Sequence, residues 1–260
     1  MSMDEAFAVA AVAAERMADA VRPIVLSYFR GSVPTDAKAD HTPVTAADRD
    51  AETRMREMIE DAFPGHGILG EEHGSVRLDA ENVWVLDPID GTKSFITGKP
   101  LFGTLIALVH RGRPVVGVID APALDERWVG IEGKPTTLNG TAVAVRPCPA
   151  LDQAWVYATA PEMFVGPDVA AFDRLRQGSR GVVYGADCYA YGLLANGTVD
   201  VVCEASTKPY DYCALVPVVR GAGGVISDWA GQPLGLGSDG RVLAAGDAAA
   251  HAAALQILAG

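Results

Sequence analysis

Cysteine is scarce and unpatterned. Cys148, Cys188, Cys203 and Cys213 are the four in 260 residues, with neither a CxxC pair nor zinc spacing. That excludes a disulfide-stapled scaffold and a thiolate metal site, and leaves buried or idle thiols of a reducing compartment. Basic residues are in deficit. Lys and Arg number 21 against 33 Asp and Glu, a net charge of −12, so the surface repels nucleic acid and anionic membranes and neither is an expected partner. No run approaches the ~18 apolar residues of a membrane span. A basic segment with an apolar core is missing from the start, where Asp4 and Glu5 stand instead. No signal peptide is expected, and the expected location is cytoplasmic. Repeats and low-complexity segments are also missing. The five histidines lack motif partners, and His41 and His73 read as bystanders.

What is present is apolar and ordered for a core. The hydrophobic share is 49%, enough for one large domain or two intimate halves. Apolar spacing predicts a helix over 4–29 with Asp4 able to cap it, and a second over 45–62 capped by Thr45. Asp48 then completes a capping box with Thr45, or its carboxylate points out of the helix start and orients a water. From 103 to about 145 the pattern turns to β-rich segments (104–110, 115–121, 127–131, 141–146) broken by turn signals, an antiparallel meander. Arg146-Pro147-Cys148-Pro149 is a seam. Beyond it strands (155–159, 181–185, 199–203, 225–229, 241–245) alternate with helices (167–177, 187–195, 210–220, 248–258), an α/β half. The expected division is 1–146 and 147–260.

One stretch organises the chain. An apolar run from Trp84 ends in Asp87-Pro88-Ile89-Asp90-Gly91-Thr92, and Lys93-Ser94-Phe95 can form a helical turn. Pro88 stiffens the loop and Gly91 permits close backbone approach. Hard cations need several carboxylates converging in space. Glu71 and Glu72 follow one expected strand, Asp87 and Asp90 the next, and Asp211 opens a helix after the Pro209 turn. Strand C-termini of a layered α/β protein face one crevice, where these acids can meet. Spacing alone leaves solvated turns open. Bound cations would also reverse the local field for a phosphorylated substrate, which the acidic surface otherwise repels.

These residues resemble the inositol monophosphatase superfamily of Mg2+-dependent, lithium-sensitive phosphatases. Pro43-Val44-Thr45-Ala46-Ala47-Asp48, Gly70-Glu71-Glu72, Asp87 to Thr92, Tyr210-Asp211 and Gly221-Ala222-Gly223-Gly224 match its motifs in order, over nearly the whole chain. The resemblance implies a layered α-β-α-β-α sandwich and a homodimer. It implies that Glu71, Asp87, the Ile89 carbonyl, Asp90 and Asp211 hold about two or three Mg2+. It makes Asp48 and Thr92 the pair that positions the attacking water, with Glu71 also in the catalytic set. The amides of Gly91 and Thr92 would hold the phosphate. Paired cations activate water and neutralise the anionic oxygens on either side of phosphorus.

Within the superfamily, Lys93-Ser94-Phe95, Tyr184-Gly185-Ala186-Asp187-Cys188 and Glu204 with Lys208-Pro209-Tyr210-Asp211 resemble the histidinol-phosphate phosphatase branch. That branch usually has Gly-Asp-Cys where Ala186-Asp187-Cys188 stands. Asp187 and Glu204, with Asp90, are the expected substrate contacts. Carboxylates suit the ammonium and imidazole of L-histidinol phosphate. Glu204, seven residues before Asp211, is a leaving-group contact across the superfamily, so Asp187 discriminates, unless it only caps the helix it opens. Inositol 1-phosphate, or small phosphomonoesters broadly, are the alternative substrates. Nucleotide 3′-phosphatases share Lys93 but need basic groups for a second phosphate. A phosphatase-like binding protein without turnover is the non-enzyme alternative, disfavoured because every implied ligand is present.

Overall fold

The chain, as a computed structural model, is described over residues 2–31, 35–37 and 43–260. The expectation for His41 lies outside these residues, as does the Thr45 side chain on which the capping reading of Asp48 depends. Helix α1 (Met3–Tyr28) opens on Ser2, not Asp4. The Ser2 hydroxyl accepts from the Glu5 amide at 3.2 Å while the Glu5 carboxylate accepts from the Ser2 amide at 2.7 Å. This reciprocal pair satisfies two otherwise orphaned donors, and an acid inside the first turn cannot do so.

The short strands β1 (Thr35–Ala37) and β2 (Pro43–Thr45) pair antiparallel, and α2 (Ala46–Ala62) follows. Then come β3 (Gly67–Gly70), β4 (Gly74–Val76), β5 (Asn82–Asp90), the short helix α3 (Thr92–Ile96), β6 (Gly103–His110), β7 (Arg113–Ala121), β8 (Glu126–Ile131), β9 (Thr137–Leu138) and β10 (Thr141–Ala142). Their strands form one eight-stranded sheet in the order β10-β9-β8-β7-β6-β5-β3-β4, antiparallel except for the parallel pair β3 and β5. The later strands β11 (Trp155–Ala158), β12 (Gly181–Tyr184), β13 (Val201–Glu204), β14 (Val225–Ser227) and β15 (Val242–Ala245) form a five-stranded sheet in the order β12-β11-β13-β15-β14. Among them lie α4 (Pro167–Gly178), α5 (Tyr189–Ala195), α6 (Pro209–Tyr212) and α7 (Leu215–Gly221), and α8 (Ala248–Ala259) closes the chain.

Side-chain alternation builds the layers. On β5, Trp84 and Leu86 join the core under α1 and α2, while Val83 and Val85 join the core with α5 and α7. On β13, Val202 faces that same central layer and Val201 and Cys203 face α4 and α8. A period of two on a sheet buried on both faces leaves no polar side. The result is the expected α-β-α-β-α sandwich. The four cysteines are all buried and unpaired.

Three expected elements change. The strand over 141–146 shortens to β10: the Val143 amide still bonds the Thr136 carbonyl in line with the β9–β10 pairing, but the Val145 amide turns to the Ala222 carbonyl after α7, away from the sheet. The helix over 210–220 breaks into α6 and α7. Pro217 has no N–H for the Cys213 carbonyl and its ring crowds that position. The helix predicted from Asp187 starts instead at Tyr189.

Candidate active site

Asp87 and Asp90 are three apart, which on a regular strand would send them to opposite faces. Here β5 is bulged. Asp87 pairs with Leu105 and Asp90 with Gly103, three residues against two. The extra residue resets the alternation, so Ile89 enters the core under α1 and α2 and both aspartates turn the other way. Asp211, carried on α6 against β5 and β6, meets them there. One carboxylate oxygen from each of Asp87, Asp90 and Asp211 lies within 4.8 Å of the others.

Each carboxylate is anchored by a backbone amide. Asp87 accepts from Ile89 at 3.0 Å, Asp90 from Cys188 at 2.6 Å and Asp211 from Lys208 at 2.7 Å. Glu71 leaves β3 beside this cluster, its amide on the Leu86 carbonyl at 3.2 Å. Asp48, buried on α2 at 1% exposure, is near enough for its charge to act on Asp87. Burial, and then the charges of Glu71, Asp90, Asp211 and Asp48, push the Asp87 carboxyl well above its usual range. Burial and the charges of Asp187 and Asp211 do the same to Asp90. Burial foremost brings Asp211 up to about 7, with Glu71 and Glu204 adding to it. Like charges gathered out of water are unfavourable unless something positive binds among them. Among the described residues no lysine or arginine ion-pairs with the three aspartates. An all-oxygen donor set of this density fits a hard divalent cation.

The loop after Asp90 takes the shape its sequence requires. Gly91 has φ +86°, the left-handed region. A Cβ there would stand 3.1 Å from the Asp187 carboxylate, so both conformation and space require glycine. Thr92 donates its hydroxyl to the Ile89 carbonyl at 3.2 Å. Gly91 and Thr92 open α3, whose first amides have no partner within the helix.

Asp187 is not a helix cap. It is itself left-handed, φ +48°, and lies ahead of α5. Its carboxylate accepts from the Ser94 hydroxyl at 3.0 Å. Burial raises its pKa, opposed by that hydrogen bond and by the charges of Lys99 and Lys93. Lys99 in turn bonds the Gly185 carbonyl. Glu204, 6% exposed, accepts from the hydroxyls of Thr159 at 2.6 Å and Tyr191 at 2.9 Å. Burial raises its pKa and these two bonds oppose the rise.

Asp90, Asp187, Glu204 and Asp211 line one cavity with Thr159 and Tyr191. Asp87, Asp90, Asp187, Glu204 and Asp211 therefore gather at one place, with Glu71 and Asp48 near enough for their charges to act on Asp87. Sequence reading missed Ser94, Lys99, Thr159, Tyr191 and the Cys188 amide. Thr159 was within reach, since it follows β11 at the same strand-end position that flagged the acids. The others depend on contacts across the chain. A larger groove of 650 Å³ runs between α1 and α2 past Val9, Val12, Met58 and Phe63, but its mostly apolar lining suits no phosphate.

The inositol monophosphatase family model matches residues 4–259. The bifunctional phosphatase IMPL2, chloroplastic, of Arabidopsis thaliana is 48% identical over 93% of this chain and 72% of its own length. A histidinol-phosphatase of Chlorobaculum parvum is 37% identical over 88% of this chain and 89% of its own. An inositol monophosphatase structure from Zymomonas mobilis superposes with TM-score 0.90 at 46% identity, over 100% of both chains. With this likeness running through both sheets and the acidic cluster between them, the chain belongs to the inositol monophosphatase family of metal-dependent phosphatases.

Proposed function

We propose that this phosphatase hydrolyses L-histidinol phosphate to L-histidinol, a step of histidine biosynthesis. The observation that carries the reading is the acidic wall of the cavity: Asp187 and Glu204 stand beside the three-aspartate cluster, whose Asp90 lines the same cavity. A leaving group with an ammonium and an imidazole would give those carboxylates charge-assisted partners. The kinship to a histidinol-phosphatase supports the same choice.

In this reading Glu71, Asp87, Asp90, Asp211 and the Ile89 carbonyl hold about two or three Mg2+. When bound, Mg2+ supplies the positive charge that activates water and stabilises the departing oxygen. Asp48 accepts a hydrogen bond from the attacking water and so helps to position it. Thr92, whose hydroxyl proton goes to Ile89, accepts from that water with its oxygen. The free amides of Gly91 and Thr92 bind the phosphate oxygens. Thr159 and Tyr191 hold Glu204 rigid toward the leaving group. Residues 1–146 and 147–260 act as halves that share the site, since Asp187, Glu204 and Asp211 come from the second. The same reading takes the protein as cytoplasmic, lithium-sensitive and homodimeric, without nucleic-acid or membrane partners. No helix among the described residues is long and apolar enough to cross a membrane.

A second reading is inositol 1-phosphate. The Zymomonas structure at 46% identity is named for that activity, and Glu204 suits hydroxyls as well as cations. Phosphate release from histidinol phosphate, inositol 1-phosphate and adenosine bisphosphate separates the readings. Asp187→Asn belongs in the same assay, because Asn tolerates the left-handed backbone while removing the charge. The expected result is a preference for histidinol phosphate in the parent that shrinks about tenfold in Asp187→Asn, worth ~1.4 kcal/mol. A parent that prefers either other ester would overturn the assignment.

A further inference from the structure

One buried charge lies outside the reaction described so far. Glu52 sits one turn after Asp48 on α2 and is 0% exposed. Its carboxylate accepts from the backbone amides of Glu72 at 2.7 Å and His73 at 3.1 Å. It also accepts from Arg56 Nε at 2.7 Å, one turn further on. Arg56 reaches past it to bond the Gly74 carbonyl. A Cβ on Gly70 would run into the Glu52 carboxylate. Residues 70–74 thus wrap tightly around an ion pair that α2 carries inward. Breaking such a pair is costly, yet a pair in place adds little net stability over apolar packing. Its value lies in geometry, since two consecutive amides on one carboxylate fix the local backbone.

The residue so fixed is Glu71. Its own amide is tied to Leu86, next to Asp87, at 3.2 Å, and the next two amides are tied to Glu52. We propose that Glu52, held by Arg56, is a positioning residue that sets Glu71 against the aspartate cluster and thereby tunes cation affinity. This rests on the reading that Glu71 is a ligand of the metal site. Partners of this kind behind metal ligands are commonly worth about 10- to 100-fold in affinity.

The test measures cation binding directly, by calorimetry with Mg2+ and Mn2+ and no substrate. Glu52→Gln keeps the shape but turns an NH2 toward a donor. It is expected to weaken cation binding by about tenfold or more. In a Glu71→Gln background the same change is expected to have almost no further effect. Equal loss in both backgrounds would make Glu52 a general stabiliser and overturn the proposal, as would parent-like affinity in folded Glu52→Gln. Should Glu52→Gln not fold, Arg56→Lys keeps the charge and loses the bond to Gly74. A smaller loss of affinity, again absent without Glu71, is then expected, and unchanged affinity refutes the clamp. A parent protein that binds neither cation would instead refute the metal reading itself.

Discussion

Asp90 illustrates how one side chain serves several constraints at once. It is a member of the three-aspartate cluster, it lines the cavity, and it takes the Cys188 amide at 2.6 Å. That last bond stitches the eight-stranded sheet to the segment ahead of α5. Asp90→Asn keeps an acceptor for Cys188 and removes one of several crowded negative charges. The apo protein is therefore expected to melt no lower than the parent. Added Mg2+ is expected to give little or none of its usual stabilisation. Turnover is expected to fall by about three orders of magnitude, the scale of several kcal/mol of lost transition-state stabilisation. Retained turnover with intact folding would remove Asp90 from the metal set. Asp187 shows the opposite lesson. A residue spaced like a helix cap is in fact left-handed, with its carboxylate turned to Ser94 on α3.

At the scale of elements, the site depends on how closely α6 and α7 approach the large sheet. Gly117 on β7 and Gly130 on β8 are register partners. A Cβ on the first would strike the Ala214 carbonyl, and on the second the backbone of Pro217 and Val218. Two bare positions side by side let the α7 backbone lie against the sheet and set where Asp211, one turn earlier, meets β5. Gly130 has no left-handed backbone, so Gly130→Ala acts through space alone. It is expected to destabilise by about 1–3 kcal/mol, the range for overpacking, and to weaken cation binding by moving α6. Gly65→Ala, where a Cβ meets open space, is the matched control and is expected to change neither. Chemical denaturation and calorimetry of both variants decide it. Unaltered cation affinity in a destabilised Gly130→Ala would separate the docking of α7 from the site.

The whole molecule carries the electrostatic strain of its centre. Asp87, Asp90 and Asp211 all hold protons to higher pH in the fold than their ordinary value of 3.8. Between that value and about 7 for Asp211, the native state binds protons that the unfolded chain has released. Stability of the metal-free protein must then fall as pH rises through this window, and the full penalty stands above it. His66 and His251 work the other way, since burial lowers both and stability from them rises with pH toward the ordinary 6.5. The difference between melting curves in Mg2+ and in EDTA isolates the carboxylates. That difference is expected to widen from pH 5 to pH 8, because cation binding requires the ionised acids. A difference independent of pH would mean that the acids do not titrate against the metal.

Sequence by itself determined the family and most of the elements. Alternating and helical apolar periods, read with turn residues, yielded the meander and the α/β half, because local burial patterns record which faces are covered, and the motif resemblance implied the five-layer sandwich. The acids were legible because they stand at strand ends, and the motif order made their convergence an expectation. Tertiary structure alone decided the rest. The bulge that turns Asp87 and Asp90 to one face is a register shift against β6, and register belongs to a pair of strands. The left-handed turn of Asp187, the break at Pro217 and the clamp of Glu52 on the Glu71 loop each depend on partners distant in sequence. A residue's type is written in the chain, but its direction is fixed only by what packs against it.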